Sequence, residues 1–135
     1  MQKTRRKIYW NSIQLNITII TIKKKNVHYT RKDIIKMKYL QRLYIGLNDK
    51  DTHKQEISKT EAKEIICNVL REVSCYTIIE CEGVWLREHE SSLIIEYVAQ
   101  HKDAIISKEY IEELKKVLNQ FAILQTIQEL EIELI

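Results

Sequence analysis

The segment 44–58, YIGLNDKDTHKQEIS, concentrates side chains that bind metal ions or transfer protons. It holds three acidic residues and a histidine, so a divalent metal site is one interpretation. A calcium loop of the EF-hand type needs oxygen ligands at positions 1, 3 and 5, glycine at position 6 and glutamate at position 12. Counting from Asp49, position 5 is His53, position 6 is Lys54 and position 12 is Thr60. The pattern therefore predicts a solvated loop between a strand and a helix, and no metal site is expected.

Residues that could catalyse a reaction are scattered along the rest of the chain. Glu80 and Glu82 share one face of a predicted strand, where paired carboxylates either transfer protons or keep the strand soluble. Gly46 and Gly83 are isolated and form no glycine-rich phosphate loop. No histidine belongs to a recognisable nucleophile motif, and the three cysteines contain no Cys-x-x-Cys pair, which indicates reduced thiols rather than a zinc site. We therefore expect a protein that is not an enzyme and has no catalytic residue, cofactor or metal.

Charge is distributed very unevenly along the 135 residues. Residues 1–36 contain ten Lys and Arg against one acid, a net +9, and residues 37–135 contain twelve against eighteen, a net −6. The basic N-terminal extension either binds nucleic-acid phosphates or is not part of the native protein. Met37 opens MKYLQRLYIGL, and the preceding RKDIIK can be encoded with a purine-rich ribosome-binding site. We predict that translation starts at Met37; a native peptide from residues 8–22, detected by mass spectrometry, would contradict this.

Residues 37–135 are predicted to form a single α+β domain. Runs rich in branched and aromatic residues predict strands at 39–47, 76–86, 91–99 and 122–135, with REHE as the turn between the second and the third. Ser58 and Glu61 form a capping-box sequence before an apolar stripe with helical spacing, and Ser107 precedes a second such stripe. The order β-α-β-β-α-β is the split β-α-β, ferredoxin-like fold, a four-stranded antiparallel sheet with two helices on one face. Its first and third strands are expected in the middle of the sheet.

The sheet face that no helix covers indicates which partners the domain can bind. A face with apolar and aromatic residues usually needs a partner, so we predict homodimers or higher oligomers, formed sheet to sheet or through the long last strand. No run reaches the roughly 18 apolar residues that a membrane helix needs, and no membrane partner is expected. An RNA-binding sheet would display aromatic residues on its central strands beside a basic surface. Tyr39 and Tyr44 face opposite ways and the domain is acidic, so nucleic acid is disfavoured.

Trp85 is the residue best suited to hold a ligand. It follows Gly83 near the end of the second predicted strand, close to Arg87, Ser91 and Ser92. An aromatic ring at the rim of a sheet, with hydrogen-bond donors beside it, can stack on a nucleobase. The alternative is a tryptophan that belongs to the core or to a dimer interface.

Residues 39–135 resemble the phage Thoeris anti-defence family of signal sponges, on the segments YIGLNDKDTHKQEIS, CEGVW, LIIEYV and QELEIELI. The resemblance implies a phage protein in the host-cell cytoplasm that works as an oligomer built on a dimer. It also implies binding and sequestration, without cleavage, of a cyclic ADP-ribose-type signalling molecule. Trp85 would stack on the adenine, and Ser91 or Ser92 would lie near the place where relatives carry asparagine. Positive charge for the phosphates would come from basic side chains, namely Arg42, Arg87 or Lys115.

Three other functions stay open on the sequence. One is a protein–protein inhibitor of a bacterial defence complex, which would use the acidic surface as a mimic of nucleic acid. Another is an RNA-binding ferredoxin-like domain, which the net charge of residues 37–135 disfavours. The third is a dimeric α+β enzyme, which would need a cluster of polar residues inside the sheet cavity that the sequence does not show.

Overall fold

A computed structural model of the chain describes residues 22–24, 27–29, 37–133 and 135. Strands β1 (Ile22–Lys24) and β2 (Val27–Tyr29) pair antiparallel with each other, with Ile22 opposite Tyr29. The rest of the predicted basic extension, residues 1–36, lies outside the described residues. None of the helices within the described ranges is long and apolar enough to cross a membrane.

Four further strands and two helices follow Met37 in the predicted order. The strands are β3 (Tyr39–Gly46), β4 (Thr77–Trp85), β5 (Glu88–Ala99) and β6 (Leu124–Glu129). The helices are α1 (Lys59–Val69) and α2 (Lys108–Val117), and a short 3₁₀ turn, Lys102–Ala104, lies between β5 and α2.

These four strands form one antiparallel sheet in the order β4-β5-β3-β6. The first and third strands of the domain, β3 and β5, lie in the middle, as right-handed crossovers predict. The core between the sheet and the helices contains Leu43 and Ile45 of β3, Leu93 and Ile95 of β5, Ile66 of α1 and Leu114 of α2. The fold is therefore the α+β, ferredoxin-like arrangement that the sequence predicts.

Serine hydroxyl groups start both helices, as predicted. Ser58 Oγ accepts a hydrogen bond from the Glu61 N–H at 3.1 Å, and the Glu61 carboxylate accepts one from the Ser58 N–H at 2.9 Å. Ser107 Oγ accepts a longer bond from the Tyr110 N–H at 3.5 Å. These bonds satisfy N–H groups that have no partner inside the helix. They fix where each apolar stripe begins and therefore which residues face the sheet.

The hairpin between β4 and β5 differs from the prediction. The sequence suggested a turn over residues 87–90, whereas Glu88 already pairs with Trp85 and the turn consists of Leu86 and Arg87 alone. Both residues have positive φ, 50° and 69°, which is the conformation that a two-residue type I′ hairpin turn requires. Strand β5 therefore begins at Glu88 instead of residue 91, and the tighter turn sets the register of the hairpin.

Strand β6 is shorter than predicted. The alternation of apolar and polar residues continues towards Ile135, but β6 ends at Glu129, opposite Tyr39 at the start of β3. The Leu130 N–H still reaches the Lys38 carbonyl at 2.7 Å. A strand continues only where a neighbour satisfies its backbone groups, and β3 starts at Tyr39. The long last strand expected from the sequence is a six-residue edge strand.

Candidate ligand site on the open sheet face

The sheet face opposite the helices, here called the open face, is formed by alternate residues of four strands. The strand registers place on it Leu40, Arg42, Tyr44 and Gly46 of β3; Thr77, Ile79, Cys81, Gly83 and Trp85 of β4; Glu88, Glu90, Ser92, Ile94, Glu96 and Val98 of β5; and Leu124, Thr126 and Gln128 of β6. These strand positions include one arginine and three glutamates, a formal charge of −2. Because α1 and α2 pack on the other face, neither helix of residues 37–133 covers this one.

Both glycines of the chain lie on the open face, on the two strands that flank β5. Gly46 of β3 lies opposite Ser92 of β5, and Gly83 of β4 lies opposite Glu90. A methyl group at Gly46 would overlap the Glu90 carboxylate, and one at Gly83 would lie 3.1 Å from Ser92 Oγ. Neither glycine has a positive φ, so the effect of a side chain here would come from space and not from backbone conformation: it would displace Glu90 at Gly46 and crowd Ser92 at Gly83. We call the part of the open face formed by Gly46, Gly83, Glu90 and Ser92 the glycine trough.

Glu90 is the ionisable group of the glycine trough. Burial raises the pKa of Glu90, a backbone hydrogen bond from Asn48 acts against that rise, and the neighbouring Glu88 charge adds to it. None of the ion pairs found among residues 37–133 includes Glu90. A half-buried carboxylate without a cation in this part of the chain is a place where a positively charged ligand gains Coulomb energy.

Trp85 borders the glycine trough at the hairpin. It follows Gly83 by two residues on β4, which puts both on the same face, and it lies opposite Glu88. The residue is 51% exposed, which excludes a core tryptophan and leaves its ring open to a ligand or to a second protein. Glu88 Oε1 lies 3.6 Å from His53 Nδ1, so the loop after β3 approaches the hairpin at this end of the trough.

Arg42 lies farther along the open face. Its Nε donates a hydrogen bond to Glu96 Oε2 at 2.7 Å, and this bond is the main reason why the pKa of Arg42 is raised. Arg42 is opposite Glu96, whereas Trp85 is opposite Glu88. Eight residues of β5 therefore separate the two along the strand, about 27 Å at 3.4 Å per residue. The one arginine of the open-face strands is thus both paired and distant from Trp85.

The structure brings together three of the six predicted ligand residues on one face. Trp85, Ser92 and Arg42 all lie on the open face, and Trp85 and Ser92 border or form the glycine trough. Arg87 is in the hairpin turn next to Trp85, with positive φ. The predicted stacking residue and one of the two predicted serines therefore share a face, with Glu90 between them along β5.

The other predicted residues lie elsewhere. Ser91 is on the helix-covered face, because it alternates with Ser92 along β5. Lys115 is on α2, where its Nζ lies 3.2 Å from the Glu112 carboxylate. Glu80, one of the two acids considered for proton transfer, also faces the helices and pairs with Lys63 of α1. These side chains do not join the glycine trough.

The sequence alone did not reveal Glu90, Gly46 or Gly83 as site residues. The glycines were judged isolated because they are far apart in the chain, and Glu90 was assigned to a turn. One signal was present: each glycine interrupts a strand-like run. A glycine inside a strand marks a bulge or a close approach by a ligand or by another backbone.

The acidic loop after β3 is a structural connection. Asp49 Oδ1 accepts hydrogen bonds from the N–H groups of Asp51 at 2.8 Å and Thr52 at 3.1 Å. The Asn119 side-chain amide, just beyond α2, donates to Asp49 at 2.8 Å and to Asp51 at 2.9 Å. The Asn119 bond is the main cause of a lowered pKa of Asp49. Among the described residues, no group of three or more His, Cys, Asp and Glu side chains could hold a metal ion.

Comparison with known proteins adds information on the fold. No protein-family model matches the chain, and no curated protein matches it in sequence. A solved structure of a phage SAM lyase in complex with S-methyl-5′-thioadenosine is similar, with a TM-score of 0.52, 18% identity, and coverage of 71% of this chain and 84% of that chain. A phage SAM lyase in the apo state has a TM-score of 0.48, 15% identity, and coverage of 73% and 86%.

The similar solved structure is an enzyme. At 18% identity the likeness to the complex concerns the fold. It nevertheless contradicts the expectation that this protein is not an enzyme, because that expectation rested on the lack of a nucleophile motif in a ferredoxin-like domain. A protein with a similar fold is a lyase, so the architecture is compatible with catalysis. The prediction of a non-catalytic protein was wrong in taking the missing motif as decisive.

Proposed function

We propose that this protein binds S-adenosylmethionine (SAM) in the glycine trough and cleaves it as a lyase, releasing S-methyl-5′-thioadenosine. The observation that carries the proposal is the position of Glu90 between the two glycines and next to Trp85 on the open face. The likeness of the fold to a phage SAM lyase supports it. Removal of the methyl donor by such an enzyme would starve methyl-dependent host systems, which agrees with a phage anti-defence role.

The chemical groups of SAM fit the side chains of the trough. Trp85 offers a ring face for the adenine, and such stacking contributes about 1–3 kcal/mol per base. Ser92, which lies beyond Glu90 as seen from Trp85, supplies a hydroxyl group that both donates and accepts hydrogen bonds, as the amino and carboxylate groups at the amino-acid end of SAM require. Glu90 supplies negative charge for the sulfonium. The glycines let these groups approach the backbone of β3 and β4 closely.

The reaction needs no nucleophile from the protein. The bond between the sulfonium sulfur and the γ-carbon of the amino-acid chain breaks, and its electron pair goes to sulfur, which becomes a neutral thioether. The γ-carbon then bonds to the carboxylate oxygen of the same substrate molecule, closing a lactone, or forms a double bond after the adjacent carbon loses a proton. In the second route Glu90 is the base, and its raised pKa favours proton uptake.

Cyclic ADP-ribose, the ligand that the sequence resemblance suggests, is the second candidate. Trp85 and Ser92 lie on one face, as that ligand would require. Its pyrophosphate, however, would meet three glutamates on the open-face strands, whose single arginine is already paired with Glu96, and Arg87 of the turn would be the only arginine near Trp85 among the described residues. Like charges repel in a half-buried site, so the open face favours the cationic SAM over the anionic messenger.

Incubation of the purified protein with SAM tests the proposal. Chromatography should detect S-methyl-5′-thioadenosine, with the four-carbon fragment appearing in equal amount. If the elimination route is used, Glu90→Gln should lower the rate at least ~100-fold, in the range of a lost general base. Glu129→Gln, an exposed residue of β6, is the matched control and should keep the rate. Unchanged SAM after long incubation would contradict the proposal, and heat-released intact cyclic ADP-ribose from a parallel incubation would favour the second candidate.

A further inference from the structure

Glu90 differs from the other acids of the open-face strands in having no counter-charge. Glu96 binds Arg42 at 2.7 Å, and Glu88 lies 3.6 Å from a nitrogen of His53. No ion pair within residues 37–133 involves Glu90. Its charge is therefore available to a ligand, whereas the charges of Glu88 and Glu96 on the same strand already face ionisable or cationic groups.

The surroundings of Glu90 hold its carboxylate in place. On one side the carboxylate occupies the space that a side chain at Gly46 would fill, and on the other side Gly83 leaves the facing position open. The Asn48 backbone N–H holds the carboxylate from the end of β3. A ligand lying across Gly83 towards Trp85 would thus have the carboxylate at its side and the aromatic ring at its end.

We infer that Glu90 is a specificity-determining residue, which selects nucleosides that carry a positive charge next to the sugar. The inference rests on the proposed function and names the ligand class of the same site. A fixed carboxylate within about 4 Å of a cation gains Coulomb energy that a neutral analogue of the same shape does not. A sulfonium ligand should therefore bind at least about tenfold more tightly than the corresponding thioether.

This selectivity has a consequence for turnover. Cleavage of the carbon–sulfur bond converts the sulfonium into a neutral thioether, so the positive charge beside the nucleoside disappears in the reaction itself. The attraction to Glu90 is then lost at the moment when the product forms. Substrate is held by charge and stacking, whereas the product is held by stacking and hydrogen bonds alone.

Two ligands that differ only where SAM has its sulfonium group test the inference by calorimetry with the full chain. Sinefungin carries an ammonium group at the position of the sulfonium, and S-adenosylhomocysteine carries a neutral thioether there, with the same adenosine and amino-acid ends. Wild type should prefer sinefungin about tenfold or more. Glu90→Gln should bring the ratio of the two dissociation constants close to one, while Glu90→Asp, which keeps the charge, and Glu129→Gln should retain the preference.

The outcomes separate the two levels of the hypothesis. Binding of both ligands with a ratio that Glu90→Gln leaves unchanged would overturn the role of Glu90 and leave the proposed function standing. Binding of neither ligand to wild type would overturn the proposed function and, with it, this inference. Circular dichroism of Glu90→Gln shows whether the variant is folded. In Gly46→Ala the added methyl group displaces the Glu90 carboxylate, so the ratio of the two dissociation constants in this variant measures the role of that carboxylate a second time.

Discussion

Gly46 and Gly83 are the residues on which the candidate site depends. Each lies inside a strand with an ordinary backbone conformation, where glycine normally weakens the strand. Their common feature is the side chain that lies over or beside them: the Glu90 carboxylate at Gly46 and Ser92 Oγ at Gly83. The two glycines therefore let side chains of β5 lie close to the backbone of β3 and β4 on the face that carries Trp85.

Alanine at either glycine should separate binding from folding. We expect Gly46→Ala to displace Glu90 and to weaken sinefungin binding about tenfold or more, because the methyl group takes the space of the carboxylate. Stability should change by no more than about 1 kcal/mol, since alanine tolerates the backbone and restricts the unfolded chain. Calorimetry and thermal unfolding measure the two quantities. Thr77→Ala, on the same face of β4 but at its other end, is the control, and undiminished binding by Gly46→Ala would contradict the role of the trough.

The raised pKa of Glu90 predicts a stability effect with a definite sign. Because burial favours the protonated form in the folded state, the stabilisation is present at low pH, below the ordinary glutamate range, and is lost as pH rises through the raised pKa. Ionised Glu90 therefore costs stability at neutral pH. Glu90→Gln should have a higher melting temperature than wild type at pH 7, and the difference should vanish below about pH 4.

Glu80 is the control of opposite sign for this experiment. Its pKa is lowered, mainly by the hydrogen bond from Lys63, so its stabilisation is present above the ordinary glutamate range and is lost as pH falls through the lowered pKa. Glu80→Gln should therefore lower the melting temperature at pH 7 and have little effect in acid. A melting temperature of Glu90→Gln below that of wild type at pH 7 would show that the Glu90 carboxylate is not penalised by burial.

At the scale of elements, one buried polar side chain fixes the connection from β5 to α2. Gln41 of β3 is fully buried, accepts a hydrogen bond from the Ile106 N–H at 2.8 Å and donates one to the Ile106 carbonyl at 3.0 Å. Its amide also donates to the Gln125 side chain at 2.7 Å. Gln41 therefore satisfies both backbone groups of a residue that lies between secondary-structure elements and is itself buried.

Substitution of Gln41 should be costly in spite of its small change in volume. Gln41→Leu leaves the Ile106 N–H and C=O without their partners in a buried place, and we expect a loss of about 1–3 kcal/mol in the free energy of unfolding. Urea unfolding measures it. Gln125→Ala removes only the exposed partner of the same amide and should cost less than about 0.5 kcal/mol. Equal losses in the two variants would mean that the bonds to Ile106 contribute little.

At the scale of the whole molecule, homodimerisation remains a prediction. Leu124 of β6 is 60% exposed and Phe121, just before it, is 75% exposed. The other exposed apolar cluster, at the hairpin, contains Trp85 and Leu86. Such apolar surface commonly marks an interface, and the two clusters lie on opposite edges of the sheet.

Light scattering after size-exclusion chromatography distinguishes the two edges. If copies associate through the β6 edge, Leu124→Glu should convert dimer to monomer and Trp85→Ala should not, because a buried charge without a partner is strongly unfavourable. Association through the hairpin predicts the reverse. A monomeric full chain at concentrations of about 100 µM, far above the micromolar range of ordinary specific interfaces, would contradict the prediction of a homodimer.

The sequence by itself determined the elements and their order, because the signals for them are local. The serine caps act on N–H groups within the next three residues, and the apolar stripes repeat within one turn or one strand. With two crossover connections of known hand, few topologies remain, so the position of β3 and β5 in the middle of the sheet could be predicted. The aromatic Trp85 could be singled out for the same local reason.

The tertiary structure decided what depends on register and on a neighbour. The two-residue turn at Leu86 and Arg87 sets which residues of β4 and β5 lie opposite each other, and only this register brings Gly83 to Glu90. Strand β6 ends at Glu129, opposite Tyr39, because β3 begins there and offers no further strand residue to pair with. The glycine trough joins Gly46 of β3 to the β4–β5 hairpin, which is far from it in the chain, and pairing between distant strands is not written in any local pattern. The position of Trp85 at the end of a predicted strand could therefore be read from the sequence, but only the folded sheet could place Glu90 near it.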